Sequence, residues 1–220
     1  MINRAYLSEF LGTAILLATV IGSGIMGETL SPNNTAIALL GNTIATGAIL
    51  YVIITIFGSI SGAHFNPVVT IAFLINGEIS KWDSLMYVCL QILGAILGVW
   101  VAHLMFDLQV IQISLKIRAG PSQGFSEAIA TFGLILVIFG GQRFQKKSVP
   151  ALVGLYITAA YWFTASTSFA NPAVTIARSL SNTFAGINPA NVCLFILCQI
   201  VGMLIAVKIS KILQDFHDLR

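Results

Sequence analysis

Two seven-residue stretches that differ at one position occur in the chain, NPVVTIA at 66–72 and NPAVTIA at 171–177. Asn is a favoured helix N-cap and Pro is favoured at the first helical position, so each copy predicts a helix that begins at its proline. Both apolar segments end after about ten residues, near Asn76 and Asn182. At a rise of ~1.5 Å per residue, ten residues reach only about half of a bilayer's hydrocarbon thickness. The two copies therefore predict half-helices that enter the membrane without crossing it.

Six longer apolar runs surround these half-helices, at about 5–26, 35–58, 83–106, 125–142, 149–166 and 190–210. Each run is long enough to cross a bilayer as a helix. The chain is 57% hydrophobic and only 9% charged, whereas a soluble domain carries ~25% charged residues. We therefore predict an all-α membrane protein, in which six transmembrane helices and two re-entrant half-helices form one domain over residues 1–220.

The sequence also predicts an internal inverted repeat. Two further motifs recur in the same order, Ser8-Glu9 with Thr13 as Ser126-Glu127 with Thr131, and QILG at 91–94 as QIVG at 199–202. Each half, about 1–106 and 124–213, contains three spans, and this odd number forces the second half to enter the membrane upside down. Interrupted helices at matching places in inverted halves indicate a transport site near the midplane.

Lys and Arg residues predict the orientation of the chain, because they are enriched on the cytoplasmic side of membrane proteins. With the N-terminus inside, eight of these residues are cytoplasmic: Arg4, Lys81, Arg143, Lys146, Lys147, Lys208, Lys211 and Arg220. Three are outside: Lys116, Arg118 and Arg178. We therefore expect both termini to face the cytoplasm. The first apolar run shows no clear signal-peptide cleavage site, so we expect it to remain as a span.

Asn66 and Asn171 meet near the midplane if the two half-helices enter from opposite faces. Each side-chain oxygen would cap its own helix, which leaves each amide NH2 group as a donor facing the passage. The positive ends of two helix dipoles would converge at the same point. Such a site favours a neutral solute with oxygen acceptors. One Asn-Pro pair could mark an ordinary turn, but two matched copies favour paired half-helices.

The residues around both repeats resemble the two Asn-Pro-Ala loops of the aquaporin (major intrinsic protein) family, SGAHFNPVVT at 61–70 and ANPA at 170–173. The resemblance covers essentially the whole chain and implies a homotetramer in a lipid bilayer, with one pore through each protomer. It places the pore constriction at Asn66, Pro67, Val68, Asn171, Pro172 and Ala173. In aquaporins the converging dipole ends exclude protons and cations, and the resemblance implies the same exclusion here.

The expected selectivity filter departs from the family pattern. Most members carry Arg directly after the second Asn-Pro-Ala, whereas this chain has Val174. Thr46 stands where water-selective members have an aromatic residue, and Ser168 matches the fourth filter position. Counting from Gly154 gives Tyr161, or a neighbour of it, as the third. Because this filter carries no fixed charge, we predict that small uncharged solutes larger than water pass through it.

The sequence leaves the roles of three residues near the filter and the pore mouths open. Arg178 is one helical turn beyond Val174, so its guanidinium could reach back to the outer vestibule, or it could be an ordinary solvated side chain; the solvated position is favoured. His64 lies in the loop that shapes the inner mouth in the family. Val68 replaces the Ala of the first motif, and no selectivity follows from that replacement.

Glu9 and Glu127 match the family's buried glutamates. An intramembrane carboxylate needs partners, and the resemblance implies that these two accept hydrogen bonds from the re-entrant loops. A proton relay is the alternative, but no chain of further acids continues from either residue. Small residues at Gly94, Gly98, Gly202 and Ala206 indicate close helix packing.

The filter residues and the second Asn-Pro-Ala loop also bear on the choice of solute and on the alternative function classes. The missing filter Arg and STSFANPAVT at 166–175 resemble a bacterial subgroup linked to arsenic resistance, which implies a bacterial plasma membrane and neutral metalloid hydroxides or methylated arsenicals as solutes. The uncharged filter itself suggests small neutral solutes such as glycerol-like polyols. An ion-coupled secondary transporter is the alternative, but it needs more titratable groups at the midplane. No catalytic cluster, metal-ligand spacing or phosphate loop is evident, so we expect no enzyme activity, cofactor or metal. A formal charge of +3 gives no indication of nucleic-acid binding.

Overall fold

The chain folds almost entirely into helices in a computed structural model that describes residues 3–218. The elements are α1 (Arg4–Leu30), α2 (Thr35–Ser61), α3 (Pro67–Ile75), α4 (Lys81–Met105), α5 (Pro121–Phe144), a 3-10 turn (Lys146–Ser148), α6 (Val149–Phe163), α7 (Pro172–Arg178) and α8 (Pro189–Asp218). The predicted all-α fold is confirmed, with five long apolar helices, the shorter α6 and the two half-helices α3 and α7. Arg220, one of the charges assigned to the cytoplasm, lies outside the described residues.

Local signals in the sequence set the ends of the helices. Asn34 and Ser80 cap α2 and α4 by accepting hydrogen bonds from Ile37 N and Asp83 N. At the other end of α2, Gly62 adopts a left-handed conformation with φ 85°, which a glycine tolerates without strain. These caps satisfy backbone groups that would otherwise stay unpaired near the membrane surface.

Five of the helices are long and apolar enough to cross a membrane: α1, α2, α4, α5 and α8. The sixth, α6, has only 15 residues, so the predicted run at 149–166 was too long at its C-terminal end. At ~1.5 Å per residue, α6 is about 22 Å long. Its last turn is replaced by an extended residue at Thr164, from which the chain enters the loop that leads to α7.

The inverted repeat is visible in how the helices pack. In the first half α1 packs against α2 and α4, and in the second half α5 packs against α6 and α8. Small residues bring these helices close together. A Cβ added to Gly98 would lie 2.2 Å from Ala14 O, and one added to Gly202 would lie 2.1 Å from Ala128 O. The two half-helices α3 and α7 touch each other between these two packed units.

Candidate functional site

The N-termini of α3 and α7 are joined by a reciprocal pair of hydrogen bonds. Asn66 Nδ2 donates to Ala170 O at 2.8 Å, and Asn171 Nδ2 donates to Phe65 O at 2.8 Å. An amide NH2 group has two hydrogens, so one hydrogen of each asparagine remains for another acceptor. The structure thus gives each asparagine a second role that the sequence did not indicate, because each ties its half-helix to the opposite loop.

Each asparagine also caps its own half-helix. Asn66 Oδ1 accepts from Val68 N at 3.1 Å. Asn171 Oδ1 accepts from Ala173 N at 2.9 Å and from Val174 N at 3.3 Å. With its oxygen and one hydrogen engaged, each side chain is held in one orientation, and the remaining N–H has a fixed direction.

The loops before the half-helices have backbone conformations that are rare for residues with a side chain. Ala63 and Phe65 have φ 51° and 49°, and Thr167, Ser168 and Ala170 have φ between 46° and 62°. Left-handed conformations of this kind cost ~1–2 kcal/mol per residue. They persist because other contacts hold each loop.

Two fully buried glutamates provide those contacts. Glu9 accepts from His64 N at 3.0 Å, Phe65 N at 2.7 Å and Gln91 Nε2 at 2.8 Å, and also from the hydroxyl of Ser61 at 2.6 Å. In the second half, Glu127 accepts from Phe169 N and Ala170 N, both at 2.9 Å, and from Gln199 Nε2 at 2.6 Å. The matching contacts show that both carboxylates anchor irregular backbone at membrane depth.

A cavity runs past both asparagines. All four residues expected in the filter line it, together with Arg178 and His64: Thr46, Tyr161, Ser168 and Val174. Of residues 160–162, Tyr161 lines the cavity, and its hydroxyl lies 3.4 Å from Thr46 Oγ1. Apolar side chains from α1, α2, α5 and α6 form most of the remaining wall: Leu16, Val20, Leu50, Ile54, Leu134, Ile138, Val153 and Ile157.

Four of the residues expected at the constriction do not line this cavity: Pro67, Val68, Pro172 and Ala173. All four are buried, and Val68 and Ala173 belong to the apolar core. This placement has a simple geometric reason. On each half-helix the cavity faces one stripe, so the residues directly after the asparagine point away from it.

The stripe that faces the cavity is the same on both half-helices. On α3 it consists of Asn66, Val69 and Phe73, and on α7 of Asn171, Val174 and Arg178. These are positions i, i+3 and i+7, which share one face of a helix. Phe73 was missed from the sequence, although this spacing from Asn66 would have found it.

Phe73 and His64 lie at the opposite end of the cavity from Arg178. Their rings stack with centroids 4.6 Å apart, and His64 Nδ1 lies 3.1 Å from Thr70 Oγ1. Phe73 and Gln142 also line a second, more polar cavity. Because the two cavities share Phe73 and Gln142, the second adjoins the first at this end.

The favoured expectation for Arg178 was wrong, because its side chain is not solvated. It is only 1% exposed, its guanidinium carbon lies 3.4 Å from the centroid of the Phe169 ring, and Nε donates to Ala185 O. The chain after α7 folds back over the helix end and brings Ala185 to the guanidinium. This contact depends on the path of the loop after α7, which the residues around Arg178 do not indicate.

Two further cations lie at the same end of the molecule as Arg178. Arg118 donates to Gly186 O at 2.9 Å, and its guanidinium carbon lies 5.0 Å from the Phe169 centroid. Lys116 Nζ donates to Phe184 O at 2.5 Å. Burial, and then the nearby charges of Arg118 and Arg178, lower the pKa of Lys116 to about 8. Burial also lowers the pKa of Arg118.

The comparisons with known proteins agree with this architecture. The family model "Major intrinsic protein" matches residues 1–169. Aquaglyceroporin AqpS of Rhizobium meliloti (strain 1021) is 51% identical over 210 residues, covering 96% of this chain and 90% of that protein. Glycerol uptake facilitator protein-like 6 of Lactiplantibacillus plantarum is 29% identical, covering 96% of this chain and 98% of that protein.

A solved structure shares the whole fold. The X-ray structure of the aquaglyceroporin from Plasmodium falciparum matches with a TM-score of 0.76 and 21% identity, covering 99% of both chains. The fold is that of a multi-pass membrane protein, and the family model and the 51% identical relative show that it acts as a passive channel and not as an enzyme. The chain belongs to the major intrinsic protein family, so the resemblance noted in its sequence is confirmed.

Proposed function

We propose that this channel passes water and small uncharged solutes larger than water, such as glycerol, down their concentration gradients. The observation that carries the proposal is the pair of asparagines, Asn66 and Asn171, which cap opposed half-helices and line one cavity. A solute that passes between them meets two fixed N–H donors and two positive dipole ends. Oxygen acceptors are stabilised there, whereas cations and protons are opposed.

The proposed filter residues suit a solute with one apolar face and one polar face. Val174 contributes an apolar wall, whereas Thr46, Tyr161 and Ser168 contribute hydroxyl groups. Within the part of the chain that the structure describes, Ser168 Oγ is buried and has no hydrogen-bond partner, so it can bond a passing solute. A glycerol-like molecule presents carbon on one side and hydroxyls on the other. The names of two relatives, an aquaglyceroporin and a glycerol uptake facilitator-like protein, support the same solute class.

Neutral arsenic hydroxides meet the same requirements. They are uncharged, carry hydroxyl groups and are similar in size to a small polyol. We therefore include them among the proposed solutes, on the basis of the filter at Val174 and the resemblance of residues 166–175 to the subgroup linked to arsenic resistance.

The position of the charges supports an orientation with both termini in the cytoplasm, and the bacterial relatives support a location in the plasma membrane. Three cations share one end of the cavity. Arg118 and Arg178 lie over the Phe169 ring, and Lys116 lies over the Phe184 ring. The remaining Lys and Arg of the sequence belong to the other side by the count of spans. We place the Arg178 end outside and the His64 end inside. The family further supports one channel domain over residues 1–220 and assembly as a homotetramer.

Ion-coupled transport finds no support in the cavity or in the family. A coupled transporter needs carboxylates that reach the solute path. Among the described residues, Glu9 and Glu127 are the fully buried carboxylates, and neither lines the cavity. Glu78 lines only the second, more polar cavity beyond Phe73. Both are engaged by backbone N–H groups of the loops.

Stopped-flow light scattering on proteoliposomes tests the proposal. We expect rapid shrinkage in an impermeant osmolyte, followed by reswelling with glycerol, urea or arsenite, and faster rates than in protein-free liposomes. A pH-sensitive dye inside the vesicles should show no proton movement during glycerol flux. Water and glycerol rates equal to those of empty liposomes, or accumulation of glycerol driven by a proton gradient, would contradict the proposal.

A further inference from the structure

The cavity holds one buried guanidinium that the filter positions of the family do not predict. Arg178 occupies the third place of the stripe that faces the cavity on α7, after Asn171 and Val174. Phe73 occupies the equivalent position of α3 and lines the same cavity. Because the N-termini of α3 and α7 meet, these two residues lie toward opposite ends of it. The helical register that places Phe73 in the passage therefore also places Arg178 there.

The contacts of Arg178 fix its position without neutralising its charge. The guanidinium carbon lies 3.4 Å from the Phe169 centroid, and Nε donates to Ala185 O. A ring and a carbonyl group are both uncharged, so neither contact neutralises the positive charge of the side chain. Stacking on an aromatic face and bonding at Nε also leave little freedom for the guanidinium to rotate.

One end of the guanidinium remains available. Among the residues that the structure describes, Arg178 Nη1 is buried and has no hydrogen-bond partner. A buried donor without an acceptor is costly, and the wall of the cavity is where a water or a solute oxygen can reach it. Helical side chains lean toward the N-terminus of their helix, and the stacking of the guanidinium on Phe169, a residue that precedes α7, agrees with this direction.

We propose that Arg178 supplies the fixed positive charge of the outer constriction, which the residue after the second Asn-Pro-Ala, Val174, does not carry. Nη1 donates to the hydroxyl oxygens of polyols or neutral hydroxides as they enter, and the charge opposes cations. This inference rests on the proposed channel function and names the residue that determines its selectivity. The displacement of the charge by one helical turn lets Val174 form a wider, apolar wall while cations stay excluded.

Arg118 provides a matched control for this role. Its guanidinium lies 5.0 Å from the same Phe169 ring and bonds the neighbouring carbonyl, Gly186 O, yet Arg118 does not line the cavity. Arg118→Met therefore removes a second guanidinium from the same cluster, with its bonds to Gly186 O and Ser166 O, but removes no side chain that lines the cavity. A general disturbance of this cluster would affect the two variants alike, whereas a selectivity role would affect only Arg178→Met.

The test compares wild type, Arg178→Met and Arg118→Met in proteoliposomes, with water, glycerol and sodium permeabilities measured on the same preparations. For Arg178→Met we expect water permeability close to wild type and a changed ratio of glycerol to water permeability. We expect the sodium leak to rise roughly tenfold or more, because a unit charge is lost from a low-dielectric passage. For Arg118→Met we expect all three permeabilities to stay close to wild type. Unchanged selectivity in Arg178→Met, or equal changes in both variants, would overturn the proposal.

A second variant keeps the test decisive if Arg178→Met does not fold. Arg178→Lys retains the charge but loses the planar group that stacks on Phe169. Sodium exclusion that persists with a changed glycerol-to-water ratio then supports the proposal, and any other result overturns it. A wild-type channel that passes neither water nor glycerol would instead refute the proposed function itself, which separates the two failures.

Discussion

The individual polar residues divide into those that hold the backbone and those that face the cavity. Glu9 and Glu127 belong to the first group, since their oxygens accept loop N–H groups. Ser168 Oγ and Arg178 Nη1 belong to the second, since each is buried without a partner among the described residues and lies on a residue that lines the cavity. Irregular backbone at membrane depth thus coexists with a few hydrogen-bonding groups reserved for the solute.

The sequence predicted the first group better than the second. Asn-Pro at the start of a short apolar segment is a local signal, and so is a carboxylate inside an apolar run. The position of Arg178 depends on the return of the chain at Ala185, which no local pattern encodes. A residue whose environment depends on how the following loop turns back cannot be placed from helical spacing alone.

Val174→Arg should narrow the filter. A guanidinium at this position would occupy the wide apolar part of the cavity and would stand one turn from Arg178 on the same stripe. We expect glycerol permeability to fall roughly tenfold or more, because a steric pocket discriminates strongly against a larger solute, while water permeability changes little. Stopped-flow measurement of both solutes checks this, with Val174→Ala as the control. Unchanged glycerol flux would reject the placement of Val174 in the filter.

Glu9→Ala should impair folding more than selectivity. The substitution leaves Phe65 N, His64 N and the Gln91 amide without their acceptor, and we expect a loss of about 4 kcal/mol of stability. Thermal melting and the yield of assembled protein in detergent measure the effect. Glu28→Ala, at an exposed position of the same helix, should change stability by less than about 0.5 kcal/mol. A Glu9→Ala protein that folds normally but conducts ions would indicate a direct role in permeation.

Lys116 should make stability depend on pH in the alkaline range. Its pKa is lowered from 10.5 to about 8 in the folded chain by burial and then by the charges of Arg118 and Arg178. Below pH 8 the charged lysine disfavours the folded state. As pH rises from 8 to 10.5 the folded state releases this proton first, so stability increases relative to a chain without the lysine. The melting temperature of wild type minus that of Lys116→Met should therefore rise across this range, and a constant difference would refute the assignment.

At the scale of helices, capping residues stabilise the ends of the two half-helices, and small residues let the long helices pack closely. The hydrophobic runs predicted the position of every long helix, because length and hydropathy are direct requirements of a bilayer. They could not show that α6 stops at Phe163. The end of α6 is set by the loop that follows it, because Glu127 of α5 accepts hydrogen bonds from Phe169 N and Ala170 N of that loop.

Gly98→Ala should separate α1 from α4. An added Cβ would lie 2.2 Å from Ala14 O, which is a backbone atom that cannot move aside without shifting the helix. We expect a loss of about 2 kcal/mol, measured by thermal melting in detergent.

The matched control for this substitution is Gly140→Ala on α5. A Cβ at Gly140 meets nothing within 4 Å, so this variant should be neutral or slightly stabilising, by up to about 1 kcal/mol. Equal melting temperatures for Gly98→Ala and Gly140→Ala would show that the close approach of α1 and α4 does not stabilise the fold.

The whole molecule is organised by the repeat. Glu9 and Gln91 contact the first loop and α3 in the same way as Glu127 and Gln199 contact the second loop and α7. The three repeated motifs were sufficient to predict this relation, since they recur in one order in two halves with an odd number of spans. Assembly into a homotetramer remains a prediction from the family, because it concerns surfaces whose partner is another chain.

Passage between the two half-helices is the central claim, and a single thiol placed in the cavity tests it most directly. In a variant free of Cys89, Cys193 and Cys198, Ser168→Cys adds a sulfur that lines the cavity near the second half-helix. Water permeability of proteoliposomes is measured before and after addition of a mercurial, and again after a reducing thiol. We predict block only in the Ser168→Cys protein, with recovery on reduction. Water flux that stays unchanged after the mercurial has modified the introduced thiol would place the permeation path elsewhere and contradict the claim.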